Sequence, residues 1–223
     1  MKKSFYERFG KRWFDAIASV FGLILLSPFL FVTAIAVWLD SPGSPLFLQT
    51  RVGQAERTFR IIKFRTMRAA APGNAPLITA CGDARITRVG RWLRKSKVDE
   101  LPQLVNVIRG DMSLVGPRPE VPKYTKLYDA DQKLVFAARP GITGPAAISC
   151  VNEEELLARE DPEGYYLTVL LPAKLRLDRA YCRDIDFRGD LILICRTLGR
   201  LFDRRYEAGD LIEKTSRSTE ELT

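Results

Sequence analysis

Asp15-Ala16-Ile17-Ala18-Ser19-Val20-Phe21-Gly22-Leu23-Ile24-Leu25-Leu26-Ser27-Pro28-Phe29-Leu30-Phe31-Val32-Thr33-Ala34-Ile35-Ala36-Val37-Trp38-Leu39-Asp40 holds 24 uncharged residues between two aspartates. As one helix rising ~1.5 Å per residue it would cover ~36 Å, enough to span a bilayer. Pro28 removes a backbone hydrogen bond at its middle, so a kink is predicted there. Basic residues flank both ends: Lys2, Lys3, Arg8, Lys11 and Arg12 before, and Arg51, Arg57, Arg60, Lys63 and Arg65 after. Positive charge on both sides asks both ends to stay cytoplasmic. A helix turned at Ser27-Pro28 that leaves by the leaflet it entered meets that demand, since neither half can cross a ~30 Å core. Proline-kinked spanning helices also occur, and the residues leave both topologies open. The run is too long for a signal peptide, and no small-residue cleavage site follows it.

The remaining arithmetic narrows the chemistry. In 223 residues there is no histidine, which removes Ser-His-Asp and Cys-His catalysis and histidine-bearing zinc sites. Cys81, Cys150, Cys182 and Cys195 form no C-x-x-C pair and read as reduced core thiols. The net charge of +8 is local: residues 51–98 carry twelve Lys and Arg against two Asp and Glu, whereas residues 99–223 carry eighteen against twenty-two. The basic stretch follows the apolar segment directly, which points to an anionic membrane surface and phosphates rather than to nucleic acid.

Beyond a Pro/Gly/Ser turn at 40–45, Leu46–Val52 and Thr58–Phe64 read as strands of a hairpin around Gly53-Gln54-Ala55. Residues 69–82 read as a loop. Asp83 is placed to cap a helix with Ile86, Val89, Trp92 and Leu93 on one face and Arg85, Arg88, Arg91, Arg94 and Lys95 around the other, a basic amphipathic pattern suited to a membrane surface. The next helix places Leu101, Leu104, Val105 and Ile108 on one stripe, with Asp99 at its N-cap, Pro102 in its first turn and Gly110 as its stop. Further helical patterns run from Tyr165 to Tyr181 and from Leu191 to Phe202, and a polar tail follows.

Asp99-Glu100, at a helix start just after a basic helix, suits phosphate chemistry: free amides favour phosphate and keep a carboxylate ionised as nucleophile or metal ligand. Spacing alone favours a plain capping role, and both roles are compatible. Arg118, between Pro117 and Pro119, is a guanidinium on a stiff loop, and Lys63, Arg65 and Arg139 sit at strand ends or turns where they could join a phosphate pocket. Two Asp-x-Asp pairs, at 129/131 and 184/186, are expected by chance among 14 aspartates. No G-x-x-x-x-G-K or G-x-G-x-x-G is present.

In order, the Ser27-Pro28 break, Lys63-Phe64-Arg65-Thr66-Met67, Asp99-Glu100-Leu101-Pro102-Gln103-Leu104, Gly110-Asp111-Met112-Ser113-Leu114-Val115-Gly116-Pro117-Arg118-Pro119 and Arg139-Pro140-Gly141-Ile142-Thr143-Gly144 resemble the bacterial sugar transferase family over residues 5–205. These are monotopic phosphoglycosyl transferases, and the chain is similar to their minimal form, without the helical membrane domain of longer members. The resemblance implies that Asp99 attacks the β-phosphate of a UDP-sugar, that UMP leaves, and that undecaprenyl phosphate takes the phosphosugar from the enzyme. It implies that Glu100 holds Mg²⁺, that Pro117, Arg118, Pro119, Lys63, Arg65 and Arg139 bind nucleotide or phosphate, and that Asp178 belongs to the site. It also turns the topology toward a re-entrant helix bent at Ser27-Pro28. One departure stands out: the arginine many members carry after Gly-Ile-Thr-Gly is absent here, which leaves the sugar unassigned.

The expected architecture is therefore α+β and mostly helical. Residues 1–40 form a re-entrant membrane helix, 41–205 a small cytosolic catalytic core with a short β-hairpin and interfacial helices, and 206–223 a polar tail. The expected partners are a UDP-sugar, undecaprenyl phosphate and anionic lipids at the cytoplasmic face of the bacterial inner membrane, with a homodimer left open. The rival from another class is a non-catalytic, membrane-anchored anion-binding module.

Overall fold

The computed structural model describes residues 5–68, 83–150, 153–158 and 160–202. The predicted loop at 69–82, Cys81 and the tail from residue 206 lie outside them.

A π-helical turn, Tyr6–Gly10, leads into α1, Lys11–Asp40. Pro28 lies inside α1 and does not divide it. Proline withholds the N–H that would reach the carbonyl of Ile24, and the Ser27 hydroxyl donates to that same carbonyl at 2.8 Å. Helical hydrogen bonding thus runs on past Ser27-Pro28, and the Ser27 hydroxyl meets the carbonyl that the proline leaves without its donor.

Two stretches of α1 face the rest of the protein, one near each end, burying Lys11, Asp15 and Ser19 and then Thr33 and Val37. The other side is open and apolar, with Trp13, Ile17, Phe21, Ile24, Phe31 and Leu39 exposed. Both ends are fixed. Near the start, Asp15 accepts from the Ser113 hydroxyl at 2.6 Å, Arg12 donates to the carbonyls of Val107 and Ile108, and Tyr6 and Lys11 donate to Asp190. At the far end, Asp40 accepts from the Val89 amide at 3.0 Å, and Val37 packs on Phe64 and Leu93.

The hairpin has the predicted bounds: β1, Leu46–Val52, pairs antiparallel with β2, Thr58–Phe64, with Leu46 opposite Phe64 and Val52 opposite Thr58. Next, α2 spans Arg88–Ser96 and is capped by Thr87, whose hydroxyl accepts from the Gly90 amide at 2.9 Å. Asp83 is not the cap, since its carboxylate is taken by the Arg85 amide and guanidinium. Ile86 precedes the helix, in a bridge with Met67, and Trp92 is 54% exposed while Leu93 is fully buried, so the expected apolar face is narrower than predicted.

A 3₁₀ turn, Val98–Gln103, leads into α3, Leu104–Arg109, which Gly110 ends at φ 90°. The predicted stripe is shifted: Gln103, Leu104, Asn106 and Val107 are buried, and Leu101, Val105 and Ile108 are half-buried. Asn106, fully buried, accepts from the Ile62 amide at 3.0 Å and donates to the Arg60 carbonyl at 2.8 Å, bolting α3 to β2. Asn106→Ala would leave both backbone groups unpaired, a loss of about 2–4 kcal/mol. Thermal unfolding in detergent should show a midpoint roughly 5–10 °C lower; an unchanged midpoint would mean the bolt contributes nothing.

The rest of the core is helical. After β3, Ser113–Val115, come α4, Pro122–Thr125, a 3₁₀ segment, Gln132–Ala137, and β4, Gly141–Thr143. β3 and β4 pair in parallel, Ser113 opposite Gly141 and Val115 opposite Thr143, a pairing that strand patterns did not predict. Then follow α5, Pro145–Ser149, α6, Glu153–Leu156, α7, Pro162–Tyr165, α8, Leu171–Arg183, and α9, Phe187–Phe202. The largest apolar cluster gathers Val121, Tyr124, Tyr128, Tyr166, Leu170 and Leu175 between α4 and α8.

Candidate active site

Asp99 and Glu100 sit on the 3₁₀ turn between α2 and α3, and each is 8% exposed. The expected N-cap bond of Asp99 is absent; the turn is closed instead by Lys97, whose carbonyl accepts from the Glu100 amide at 3.2 Å. Tertiary burial overrides the local capping signal here.

Glu100 is the node of the site. Its Oε1 accepts from Lys63 of β2 at 2.8 Å and from the Arg118 guanidinium at 3.0 Å. Burial works against this carboxylate, but Arg118 and Lys63 outweigh it and hold its carboxyl well below the usual range. Asp99 has the opposite fate. Burial, reinforced by the neighbouring Glu100 charge, pushes its carboxyl up to about 6. Its Oδ1 is buried and has no hydrogen-bond partner. One turn on, Gln103 is 2% exposed and its Nε2 is likewise unpartnered. Two adjacent carboxylates are thus driven apart, one neutralised by cations and one left basic and unbound, as expected where acids take different chemical roles.

Arg118 is held at two points. Its guanidinium meets Glu100, and its backbone amide donates to Asp178 of α8 at 3.0 Å; the other oxygen of Asp178 accepts from the Ala146 amide at 3.3 Å. Asp178 therefore clips the Pro117-Arg118-Pro119 loop to α5, which makes it a positioning residue. Burial pushes its carboxyl up to about 6 against the pull of those two amides. Pro117 accepts from the Gly141 amide at 2.9 Å, and Pro119 accepts from Arg51 at 3.2 Å. The stiff loop is thereby fixed along its length.

The structure does not bring Arg65 or Arg139 to this node. Arg65 donates to the carbonyls of Ser41 and Pro42, closing the end of α1, and Arg139 donates to the Gly110 carbonyl at 3.1 Å. Residues not singled out as site residues do converge here. Glu153 of α6 pairs with the buried Lys174 at 3.0 Å, and Glu154 accepts from Arg94 of α2 at 2.6 Å. Their signal lies on α8, where Lys174, Asp178 and Tyr181 place three buried polar groups on one face at i, i+4 and i+7.

For a metal, the donor set is small: among the described residues no group of three or more His, Cys, Asp or Glu gathers. Two adjacent carboxylates, one with a buried unpartnered oxygen, fit Mg²⁺ of the kind whose remaining ligands are phosphate and water.

Comparison with known proteins places the chain in a family. The family model described as bacterial sugar transferase matches residues 6–204. The chain is 45% identical over 194 residues to the UDP-glucose:undecaprenyl-phosphate glucose-1-phosphate transferase of Caulobacter vibrioides, covering 86% of this chain and 69% of that protein. It is 43% identical over 143 residues to a UDP-N-acetylgalactosamine-undecaprenyl-phosphate N-acetylgalactosaminephosphotransferase of Aeromonas hydrophila, covering 63% of this chain but 34% of that protein. It is 35% identical to the uncharacterized sugar transferase EpsL of Bacillus subtilis, covering 95% of this chain and 94% of that one. The chain thus spans about a third of the length of the Aeromonas relative and nearly all of EpsL. With a family match across almost the whole sequence and relatives of this similarity, the chain belongs to the bacterial sugar transferase family.

Proposed function

We propose that the protein transfers a sugar-1-phosphate from a UDP-sugar to undecaprenyl phosphate, forming the lipid-linked diphosphosugar on which a surface glycan is built. The observation that carries this reading is the pair Asp99 and Glu100. Asp99 is buried and raised in basicity, with its Oδ1 unpartnered, beside an acid clamped by Lys63 and Arg118. In the first displacement an Asp99 oxygen bonds the β-phosphorus of the UDP-sugar, the bond from that phosphorus to the bridging oxygen breaks, and UMP departs with the electron pair. In the second, an oxygen of undecaprenyl phosphate bonds the same phosphorus and the Asp99 carboxylate leaves, regenerating the enzyme. Lys63 and Arg118 exchange Glu100 for phosphate oxygens during this traffic. Glu100 is the residue that would hold Mg²⁺, which when bound would neutralise phosphate charge.

The points at which α1 is tied support a reading of its membrane disposition. At ~1.5 Å per residue its 30 residues are ~45 Å long, yet Asp15 and Val37 bind one and the same polar body. A perpendicular span would set that body against both faces of the bilayer. We therefore read α1 as dipping into one leaflet with its open apolar side in lipid, bending at Ser27-Pro28, both ends on the cytoplasmic side where UDP-sugars are made. Impermeant thiol labelling of single cysteines placed at the two ends should fail from outside intact cells; labelling of either end would refute this topology.

The direct test of the reaction incubates detergent-solubilised protein with UDP-glucose or UDP-N-acetylgalactosamine. Released UMP, and an intact mass increased by one phosphosugar when no lipid acceptor is present, are the expected results. UMP release without that adduct would replace the covalent route by direct transfer, and neither signal with any UDP-sugar would favour an anion-binding module. Because the nucleophile is the ionised form of an acid titrating at about 6, log kcat/KM should rise with unit slope up to about pH 6 and level off above it. A carboxylate of ordinary acidity would leave the profile flat from pH 5 to 8.

A further inference from the structure

Lys97 has a backbone that lysine rarely adopts. It occupies the residue after α2 at φ 57° and ψ 14°, the left-handed region, where its amide donates to the Leu93 and Arg94 carbonyls and ends the helix. Glycine or asparagine is the usual occupant of such a position, because a full side chain crowds the following carbonyl there. Non-glycine residues kept in this region are concentrated at functional sites.

Its surroundings indicate the use. Two residues later comes Asp99, and the charge of Lys97 acts on Asp99, Glu100 and Glu153 together. Among the described residues, the other cations that act on these acids are committed: Lys63 and Arg118 to Glu100, Arg94 to Glu154, Lys174 to Glu153. Lys97 is exposed and, among the described residues, has no carboxylate partner. Placing an unpaired ammonium beside an unpartnered nucleophile is useful when a third, anionic group arrives.

We propose that Lys97 is a phosphate ligand of the site, binding an oxygen of the phosphoryl group that Asp99 attacks and releases, and that its left-handed backbone turns the side chain toward that group. The inference rests on the proposed reaction. The phosphate can come from the nucleotide sugar or from the prenyl phosphate, so the two half-reactions are read separately. Wild type, Lys97→Gln, Lys97→Gly and Lys97→Arg are compared in nanodiscs for UDP affinity, for adduct formation from the UDP-sugar alone, and for adduct decay on adding undecaprenyl phosphate.

The expected result is a loss on the order of tenfold or more for both Gln and Gly in at least one half-reaction, partial recovery with Arg, and a Gln effect that shrinks as salt rises, because this charge is exposed. Loss in the first half-reaction and in UDP affinity assigns the nucleotide phosphate; loss in decay alone assigns the lipid phosphate. Gln at wild-type levels with Gly impaired would reduce Lys97 to a backbone role and overturn the inference, as would both variants at wild-type levels. If wild type itself neither binds UDP nor forms an adduct, the proposed reaction fails instead, and the two failures are told apart by that control.

Discussion

Replacing Asp99 by asparagine is expected to abolish turnover and to make the protein more stable. An amide oxygen is a poor nucleophile and a poor leaving group at phosphorus, so UMP release should fall by ~10³-fold or more and the phosphosugar adduct should vanish from the intact mass. The stability gain comes from the same burial that raises the Asp99 carboxyl. The Asp99 carboxyl rises from an ordinary value of 3.8 to about 6 in the folded protein, so its ionised form is disfavoured by folding. At about 1.4 kcal/mol per pKa unit the strain is on the order of 2–3 kcal/mol as an upper bound. An acid with a raised folded pKa binds its proton more tightly when folded, so wild type loses this stability as pH rises from about 4 through 6. The advantage of Asp99→Asn should be full above pH 6 and gone below about 4. Thermal midpoints of both proteins at pH 5 and pH 7.5 read this directly: a gap that opens toward neutral pH is expected, and equal midpoints at pH 7.5 would show that Asp99 is not strained. Wild-type UMP release by the variant would reject the covalent mechanism outright.

The same residue shows how far the sequence could be read. Adjacent acids after a basic helix marked the position of the buried Asp99–Glu100 pair, and β-like runs marked both strands of the hairpin, because those signals are local. The capping role given to Asp99 failed because burial is a tertiary effect: Lys97 closes the turn with its carbonyl, and the Asp99 Oδ1 is left without a bond. The cation assignments divided for a related reason. Lys63 lies on β2 with its ammonium at Glu100, whereas Arg65, two residues on, reaches back to the end of α1, and composition cannot tell which carbonyl or carboxylate a guanidinium will meet. The Thr87 cap, displacing Asp83, was decided by whether Arg85 folds back on its neighbour. Nothing local announced β3 and β4, three residues each and joined across 25 intervening residues. Yet that pairing aims Arg118.

Gly141→Ala should therefore disable the protein at a distance from Asp99. Backbone hydrogen bonds tie β3 and β4 together where they enter the Arg118 loop: the Gly116 amide donates to the Thr143 carbonyl at 2.9 Å, and the Gly141 amide donates to the Pro117 carbonyl at 2.9 Å. A Cβ on Gly141 would lie 2.1 Å from the Gly116 nitrogen and 2.4 Å from the Thr143 oxygen. No side chain can yield there, so the backbone must move, at a cost of about 3 kcal/mol or more. Movement of Gly116 carries Pro117 and Arg118 with it and pulls the guanidinium off its line to Glu100. A displacement of about 1 Å in a phosphate-orienting group costs on the order of 10²-fold in rate. The expected outcome is a midpoint lower by roughly 6–12 °C and, in whatever folded protein is recovered, adduct formation slowed by about that factor. Gly199→Ala in α9 is the matched control, since a Cβ there meets nothing within 4 Å, and it should gain about 0.5–1 kcal/mol from helix propensity. If Gly141→Ala were as stable and as fast as wild type while Gly199→Ala behaved as stated, the close backbone contact would not be what sets the position of Arg118.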